Sequence, residues 1–127
     1  MRILLVDDEE ELVSALAERL TLRGLAVDWA TSGAAALELA RERKYDLALI
    51  DMKMPKISGI ELKRKLEVIN PELEFIFMSG HGSASVFEDG TDETGGASFC
   101  LLKPVEIEFL LGKIRTLRQR AGDKEKP

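Results

Sequence analysis

The chain of 127 residues has a single cysteine, few aromatic residues and no excess of basic residues. Cys100 alone excludes an internal disulfide, and its apolar surroundings favour a buried, unreactive thiol. The net charge of −5 provides no broad basic surface that would attract nucleic acid. No apolar run is long enough to cross a membrane, and the first residues read as a core strand rather than a signal peptide. We therefore expect a cytoplasmic protein in a reducing compartment, with no direct binding to nucleic acid or membrane.

Short apolar runs alternate with helical patterns along the chain. The runs predict strands near residues 2–7, 25–30, 46–51, 74–79 and 98–102. Strands that are apolar at nearly every position need cover on both faces, which is typical of parallel sheets. Right-handed crossovers between such strands give a three-layer α/β sandwich of five βα units.

The chain length fits one domain with an ordinary hydrophobic core. We place this domain at residues 1–120 and interpret residues 121–127 as a charged tail or linker. From Gly122 onward, composition predicts disorder.

Apolar residues in three of the predicted helices repeat at the spacing that lays one stripe against a sheet. These residues are Leu12, Val13, Leu16, Ala17 and Leu20 in the first helix, Leu62, Leu66 and Ile69 in the third, and Phe109, Leu110, Ile114 and Leu117 in the last. Gly24 is predicted to end the first helix, and Thr31 or Ser32 to cap the second.

Charged residues follow three of the predicted strands directly. Asp7 and Asp8 follow the first strand, Asp51 ends the third, and Lys103 follows the fifth. The carboxyl ends of parallel strands meet at one edge of the sheet, where open α/β folds bind ligands. The pattern therefore predicts one site that contains three carboxylates and an ammonium group.

Each of these residues also has an ordinary explanation when taken alone. Asp7 and Asp8 are typical helix-start acids, and Glu9 to Glu11 fit that explanation completely. Asp51 is typical of a strand-end cap, and Lys103 of a solvated surface lysine. Their joint placement favours the site. Because clustered carboxylates repel one another, the site also calls for a cation such as Mg²⁺.

The pattern resembles bacterial two-component response-regulator receiver domains, the chemotaxis-regulator-like superfamily. The resemblance covers nearly the whole chain. It rests on Asp7 and Asp8, the run Asp51-Met52-Lys53-Met54-Pro55 followed by Gly59, and on Ser79, Phe99 and Lys103-Pro104. It implies a flavodoxin-like sheet of strand order 2-1-3-4-5.

The resemblance also implies a role for each matching residue. Asp51 would accept the phosphoryl group as a nucleophile, while Lys103 and Ser79 contact the phosphoryl oxygens. Mg²⁺ or Mn²⁺ would be bound directly by Asp51 and Asp8 and by the backbone carbonyl of Lys53. Asp7 would bind the ion mainly through water.

Two further features follow from the resemblance. Phe99 would act with Ser79 as a conformational switch that responds to phosphorylation. The Lys103–Pro104 peptide bond is expected to be cis.

The function that the resemblance implies is phosphorelay signal transduction. A sensor histidine kinase or a phosphotransfer protein would supply the phosphoryl group. The domain would assist its own phosphorylation and dephosphorylation without being an enzyme in the usual sense. It would then control an unknown output partner, a fused effector domain or a phosphorylation-dependent dimer.

Residues 83–96 depart from the family pattern, because they are poor helix-forming material where the family has a regular helix. We expect a short helix that ends near Gly90, since three glycines disfavour its continuation. This departure puts the usual output surface in doubt.

Three alternatives share features of the same pattern. A haloacid-dehalogenase-like phosphotransferase would need an acid two residues after its nucleophile, where Lys53 stands. A flavodoxin-like nucleotide binder would place a neutral loop, rather than Asp7 to Glu11, after its first strand. A receiver-like module that binds a partner without phosphorylation is the third alternative, which the intact acidic site disfavours.

Overall fold

A computed structural model gives the structure of the chain and describes residues 1–80 and 99–125, with side chains for residues 1–80 and 100–119. The short helix expected near residues 83–96, the output surface it would form and the Phe99 side chain lie outside the described residues. Within them, none of the helices is long and apolar enough to span a membrane.

Five parallel strands form one sheet in the order β2-β1-β3-β4-β5. The strands are β1 (Arg2–Val6), β2 (Ala26–Ala30), β3 (Leu47–Asp51), β4 (Glu74–Ser79) and β5 (Phe99–Leu102). The helices of the described part are α1 (Glu10–Leu22), α2 (Gly33–Glu42), α3 (Gly59–Ile69) and α4 (Ile107–Glu125). The predicted fold class and strand order are confirmed.

Helices cover both faces of the sheet, so the molecule has two cores. Neighbouring strand residues point to opposite faces, and this alternation divides the apolar side chains between the cores. Ile3, Leu5, Leu49 and Met78 pack against α1 and α4. Leu4, Val6, Ile50 and Phe77 pack against α2 and α3. All five residues of β3 are buried, which explains why the central strand reads as an apolar run.

Local signals set the ends of the first three helices. Gly24 follows α1 with φ of 87°, a left-handed conformation that glycine adopts at little cost. Of the two predicted caps of α2, the structure selects Ser32, whose Oγ accepts a hydrogen bond from the Ala35 N–H at 3.1 Å. Ser58 caps α3 in the same way, through the Glu61 N–H. That cap was not predicted.

The inner face of α4 is narrower than its apolar pattern predicts. Leu110, Ile114 and Leu117 are buried in the core, each contributing about 1.5–3 kcal/mol. Phe109 is 54% exposed instead. One residue of offset rotates a side chain by about 100° around the helix, because the period is 3.6 residues.

The helix α4 continues to Glu125, so the disorder expected from Gly122 is wrong for residues 122–125. One glycine costs a helix only about 1 kcal/mol relative to alanine. The residues on either side of it, including Arg120, Ala121 and Lys124, favour helix. The boundary that we placed between residues 120 and 121 stays a prediction.

Candidate functional site

Four strand ends place the predicted residues at one edge of the sheet. Asp7 follows β1, Asp51 is the last residue of β3, Ser79 ends β4, and Lys103 follows β5. Asp7, Asp51 and Ser79 are almost fully buried, whereas Asp8 is exposed. The cluster therefore includes three buried residues and one acidic residue, Asp8, that is exposed to solvent.

Backbone N–H groups hold the two buried carboxylates in place. Asp7 Oδ1 accepts a hydrogen bond from the Glu9 N–H at 3.0 Å, and the Asp7 N–H donates to the Ala30 carbonyl at 3.1 Å. Asp51 Oδ1 accepts from the Lys53 N–H at 3.3 Å. These bonds leave the Oδ2 atom of each aspartate directed toward the centre of the cluster.

The Lys103 ammonium lies among three carboxylates. Its Nζ is 2.7 Å from Asp7 Oδ2, 3.3 Å from Asp51 Oδ2 and 3.5 Å from Glu9 Oε1. The Lys103 backbone N–H donates to the Ser79 carbonyl at 2.7 Å, which holds the Lys103 backbone against the end of β4. The Lys103–Pro104 bond is cis, as the resemblance implies.

Burial and mutual contacts shift the pKa values of the central pair. Burial raises the pKa of Asp51, and the Asp7 charge raises it further, although Lys103 and the Lys53 N–H oppose both effects. Burial acts to lower the pKa of Lys103, but its contacts with Asp7 and Asp51 outweigh burial and raise it. The contacts of Lys103 with the two aspartates therefore favour its cationic form.

The donor set suits a hard divalent cation. One carboxylate oxygen from each of Asp7, Asp8 and Asp51 lies within 4.8 Å of the others. Asp7 Oδ2 is buried, and among the described residues its close partner is the Lys103 ammonium at 2.7 Å. One ammonium group offsets only part of the charge of three ionised carboxylates, and a divalent ion with oxygen ligands would offset the rest. The residues present therefore fit Mg²⁺ or Mn²⁺.

Gly59 brings the start of α3 against the end of β3. Its N–H donates to the Met52 carbonyl at 3.0 Å. A Cβ at this position would lie 2.9 Å from both the Asp51 carbonyl oxygen and the Met52 Cα. Only glycine avoids this overlap, so Gly59 keeps the turn beside Asp51 compact.

The structure brings together Asp7, Asp8, Asp51 and Lys103, as predicted from the sequence. Ser79 lies at the neighbouring strand end, where its hydroxyl donates to the Gly80 carbonyl at 3.0 Å. The Lys53 side chain is exposed and only its backbone approaches Asp51. Glu9, which the sequence pattern predicts to be an ordinary helix-start acid, also contacts Lys103. Its position directly after Asp8 at a strand end was the available signal.

A groove of about 640 Å³ runs from the site along α1. Its lining combines apolar residues with charged residues of the same helix. The lining residues are Leu12, Ala15, Leu16, Pro104 and Val105 together with Glu9, Glu10, Glu11 and Arg19. Glu9 is shared between the groove and the acidic cluster. The groove therefore forms a surface next to the acidic cluster that a larger partner could contact.

The sequence matches a family model described as the response regulator receiver domain over residues 3–115. The chain therefore belongs to this family of phosphorelay signalling domains. Among its relatives, response regulator MprA of Mycobacterium leprae (strain TN) is 34% identical over 120 residues, covering 94% of this chain and 52% of MprA. Response regulator RppA of Synechocystis is 34% identical over 123 residues, covering 95% of this chain and 52% of RppA. The chain thus spans about half the length of these relatives.

Solved structures with the same fold include a receiver domain protein and a response regulator. A receiver domain protein from Clostridium thermocellum aligns with a TM-score of 0.84 and 30% identity, covering 95% of this chain and 96% of that one. The response regulator TrrA of Thermotoga maritima, solved with Mg²⁺ and BeF, gives a TM-score of 0.78 and 28% identity, with coverage of 91% and 97%. Family membership favours the receiver prediction over the haloacid-dehalogenase-like and nucleotide-binding alternatives.

Proposed function

We propose that this domain accepts a phosphoryl group on Asp51 from a histidine kinase or a phosphotransfer protein. The observation that carries the proposal is the Asp51 carboxylate itself, which lies 3.3 Å from the Lys103 ammonium at the end of the central strand. A carboxylate oxygen would form a bond to phosphorus while the bond between phosphorus and the donor's imidazole nitrogen breaks. The imidazole retains the electron pair of that bond. The product is an aspartyl phosphate.

Lys103 is suited to stabilise this transfer. Phosphoryl transfer depends mainly on positioning and on stabilising charge at the phosphoryl oxygens. The ammonium already lies beside the acceptor oxygen, and the Ser79 carbonyl fixes the backbone from which it extends. In this way the domain assists its own phosphorylation and dephosphorylation.

We assign a Mg²⁺ or Mn²⁺ site to Asp8 and Asp51, with the Lys53 carbonyl as a further ligand and Asp7 acting mainly through water. The close approach of three carboxylates, two of them buried, supports this assignment. When bound, the ion would neutralise the carboxylates and provide positive charge for the phosphoryl oxygens.

We further propose that Ser79 and Phe99 report phosphorylation to the rest of the molecule. The Ser79 hydroxyl, now bonded to the Gly80 carbonyl, would turn to donate to a phosphoryl oxygen. Phe99 begins β5, which pairs with β4, so the two residues belong to adjacent strands. The output would be a partner protein, a fused effector domain or a dimer.

Mass spectrometry of the intact protein tests the acceptor. With acetyl phosphate and Mg²⁺ we expect the mass of one phosphoryl group to be added to the parent protein and to Glu10→Gln, and not to Asp51→Asn. Chelation of Mg²⁺ should abolish the addition. Undiminished labelling of Asp51→Asn would refute the assignment of Asp51. An unlabelled parent protein would favour the module that binds without phosphorylation.

A further inference from the structure

The Glu9 carboxylate lies at the solvent side of Lys103. Its Oε1 is 3.5 Å from Nζ, and the Glu9 side chain is 62% exposed. The side chain makes no capping hydrogen bond to α1, although Glu9 is the N-cap residue. The structural bonds of Glu9 come from its backbone instead, since its N–H donates to Asp7 and its carbonyl accepts from Val13. Its side chain is therefore free of a local role in starting the helix.

The three carboxylates around Lys103 differ in their freedom to move. Asp7 and Asp51 are buried, and each is held by a backbone N–H. Glu9 is held by neither burial nor such a bond. The Lys103 side chain itself is only 13% exposed, so Glu9 stands on the small part of it that faces solvent.

A phosphoryl group that arrives at Asp51 needs the same ammonium. Its negatively charged oxygens must approach Nζ from the solvent side, because Asp7 and Asp51 occupy the buried side. At that position they meet the negative charge of Glu9. Repulsion between like charges grows with the charge of the donor.

We propose that Glu9 is a specificity-determining residue that acts through Lys103 and disfavours free, highly charged phosphodonors. The inference rests on the proposed phosphorylation of Asp51. A phosphohistidine carried by a protein partner would be positioned by additional contacts, for which the groove beside Glu9 provides a surface. Small donors have no such contacts and depend more on the local field.

The test compares two small donors that differ in charge. Acetyl phosphate is a dianion at neutral pH, and phosphoramidate carries less negative charge. With acetyl phosphate the bond to the acetate oxygen breaks, and with phosphoramidate the bond to nitrogen breaks. The leaving group keeps the electron pair in both. Rate constants for phosphorylation are measured by intact-mass spectrometry at saturating Mg²⁺.

Glu9→Gln should react about three-fold faster with acetyl phosphate than the parent does, the size of effect expected for one exposed ion pair. The gain with phosphoramidate should be smaller. Glu10→Gln and Glu11→Gln are matched controls, because both change the net charge equally at exposed positions of α1 that do not contact Lys103. Both controls should leave the ratio of the two rates unchanged.

Two results would overturn the inference. Equal acceleration with both donors would indicate a general structural effect of Glu9→Gln. The same gain in Glu10→Gln would indicate a diffuse field rather than the contact with Lys103. An unlabelled parent protein is a different result, since it would show that the proposed function itself has failed.

Discussion

Asp51 is a buried carboxylate whose surroundings favour its neutral form on balance. Burial and the Asp7 charge raise its pKa, and Lys103 compensates only in part. A group whose pKa is higher in the folded than in the unfolded state stabilises the fold only below its unfolded pKa. That contribution is lost as pH rises through the folded value. Ionisation of Asp51 therefore lowers the free energy of unfolding.

We predict that Asp51→Asn is more stable than the parent protein by about 1 kcal/mol at pH 7 without metal, the scale of a shift of one pKa unit. The substitution removes a buried charge, while Lys103 keeps its ion pair with Asp7. Urea unfolding in the presence of a chelator measures this difference. It should shrink as the pH falls toward about 4, where the unfolded aspartate is itself protonated. If Asp51→Asn is instead less stable than the parent protein at pH 7, the ion pair between Asp51 and Lys103 stabilises the fold by more than the burial of the charge costs.

At the scale of elements, the turn between β3 and α3 leaves no room for a side chain at Gly59. The Gly59 backbone lies against Asp51 and Met52, so any side chain must move either the helix start or the strand end. Gly112 in α4 is different, because a Cβ there would meet nothing within 4 Å.

We predict that Gly59→Ala slows phosphorylation by acetyl phosphate at least about ten-fold, since misplacement of a reacting group by about 1 Å can cost far more. Thermal unfolding should show that the variant is also destabilised. Gly112→Ala is the control and should gain about 0.5–1 kcal/mol of stability, because alanine favours helix over glycine. Its phosphorylation rate should equal that of the parent. Parent-like kinetics in Gly59→Ala would contradict the role of the close approach.

A strand or helix could be predicted from the sequence where burial alone determines which residues it contains. The central strand β3 is buried at every residue, so its apolar run identified it directly. Lys63 shows the opposite case. It lies on α3 with 4% exposure, paired with Glu67 and 5.0 Å from the Phe75 ring centre. The pair with Glu67 is local, because the two residues are four apart on the same helix. The contact with Phe75 is tertiary, so the burial of Lys63 cannot be read from the helical period.

At the scale of the whole molecule, the site joins elements that are far apart in sequence. Its residues follow four of the five strands, and the backbone of Lys103 is bonded to that of Ser79. A ligand that bridges these strand ends binds the folded chain and not the unfolded one. Such binding stabilises the fold by mass action.

We predict that Mg²⁺ with beryllofluoride raises the free energy of unfolding of the parent protein by about 2.7 kcal/mol when free ligand is one hundred times its dissociation constant. Calorimetry of thermal unfolding measures the shift. Asp51→Asn should lose the beryllofluoride part of it, since that group bonds to the acceptor carboxylate. A shift of equal size in Asp51→Asn would place the ligand elsewhere.

The composition of the site was largely predictable because parallel strands must end at a common edge. Asp7, Asp51 and Lys103 each terminate a strand, so topology alone brought them together. The contact of Glu9 depends on how far two long side chains reach across the cluster, which no spacing along the chain determines. The same limit applies to the hydrogen bond of the Ser79 hydroxyl to the Gly80 carbonyl.

The contrast in burial among the acidic residues divides the site into two dielectric regions. Dissolved ions screen charges over about 8 Å at 0.15 M salt, but only where they can surround them. Asp8 and Glu9 stand in solvent, so their fields weaken as salt is added. Asp7 and Asp51 are enclosed, and their interaction with Lys103 stays nearly constant. Ionic strength therefore acts on how ions and donors approach the site, while the arrangement that receives them is unchanged.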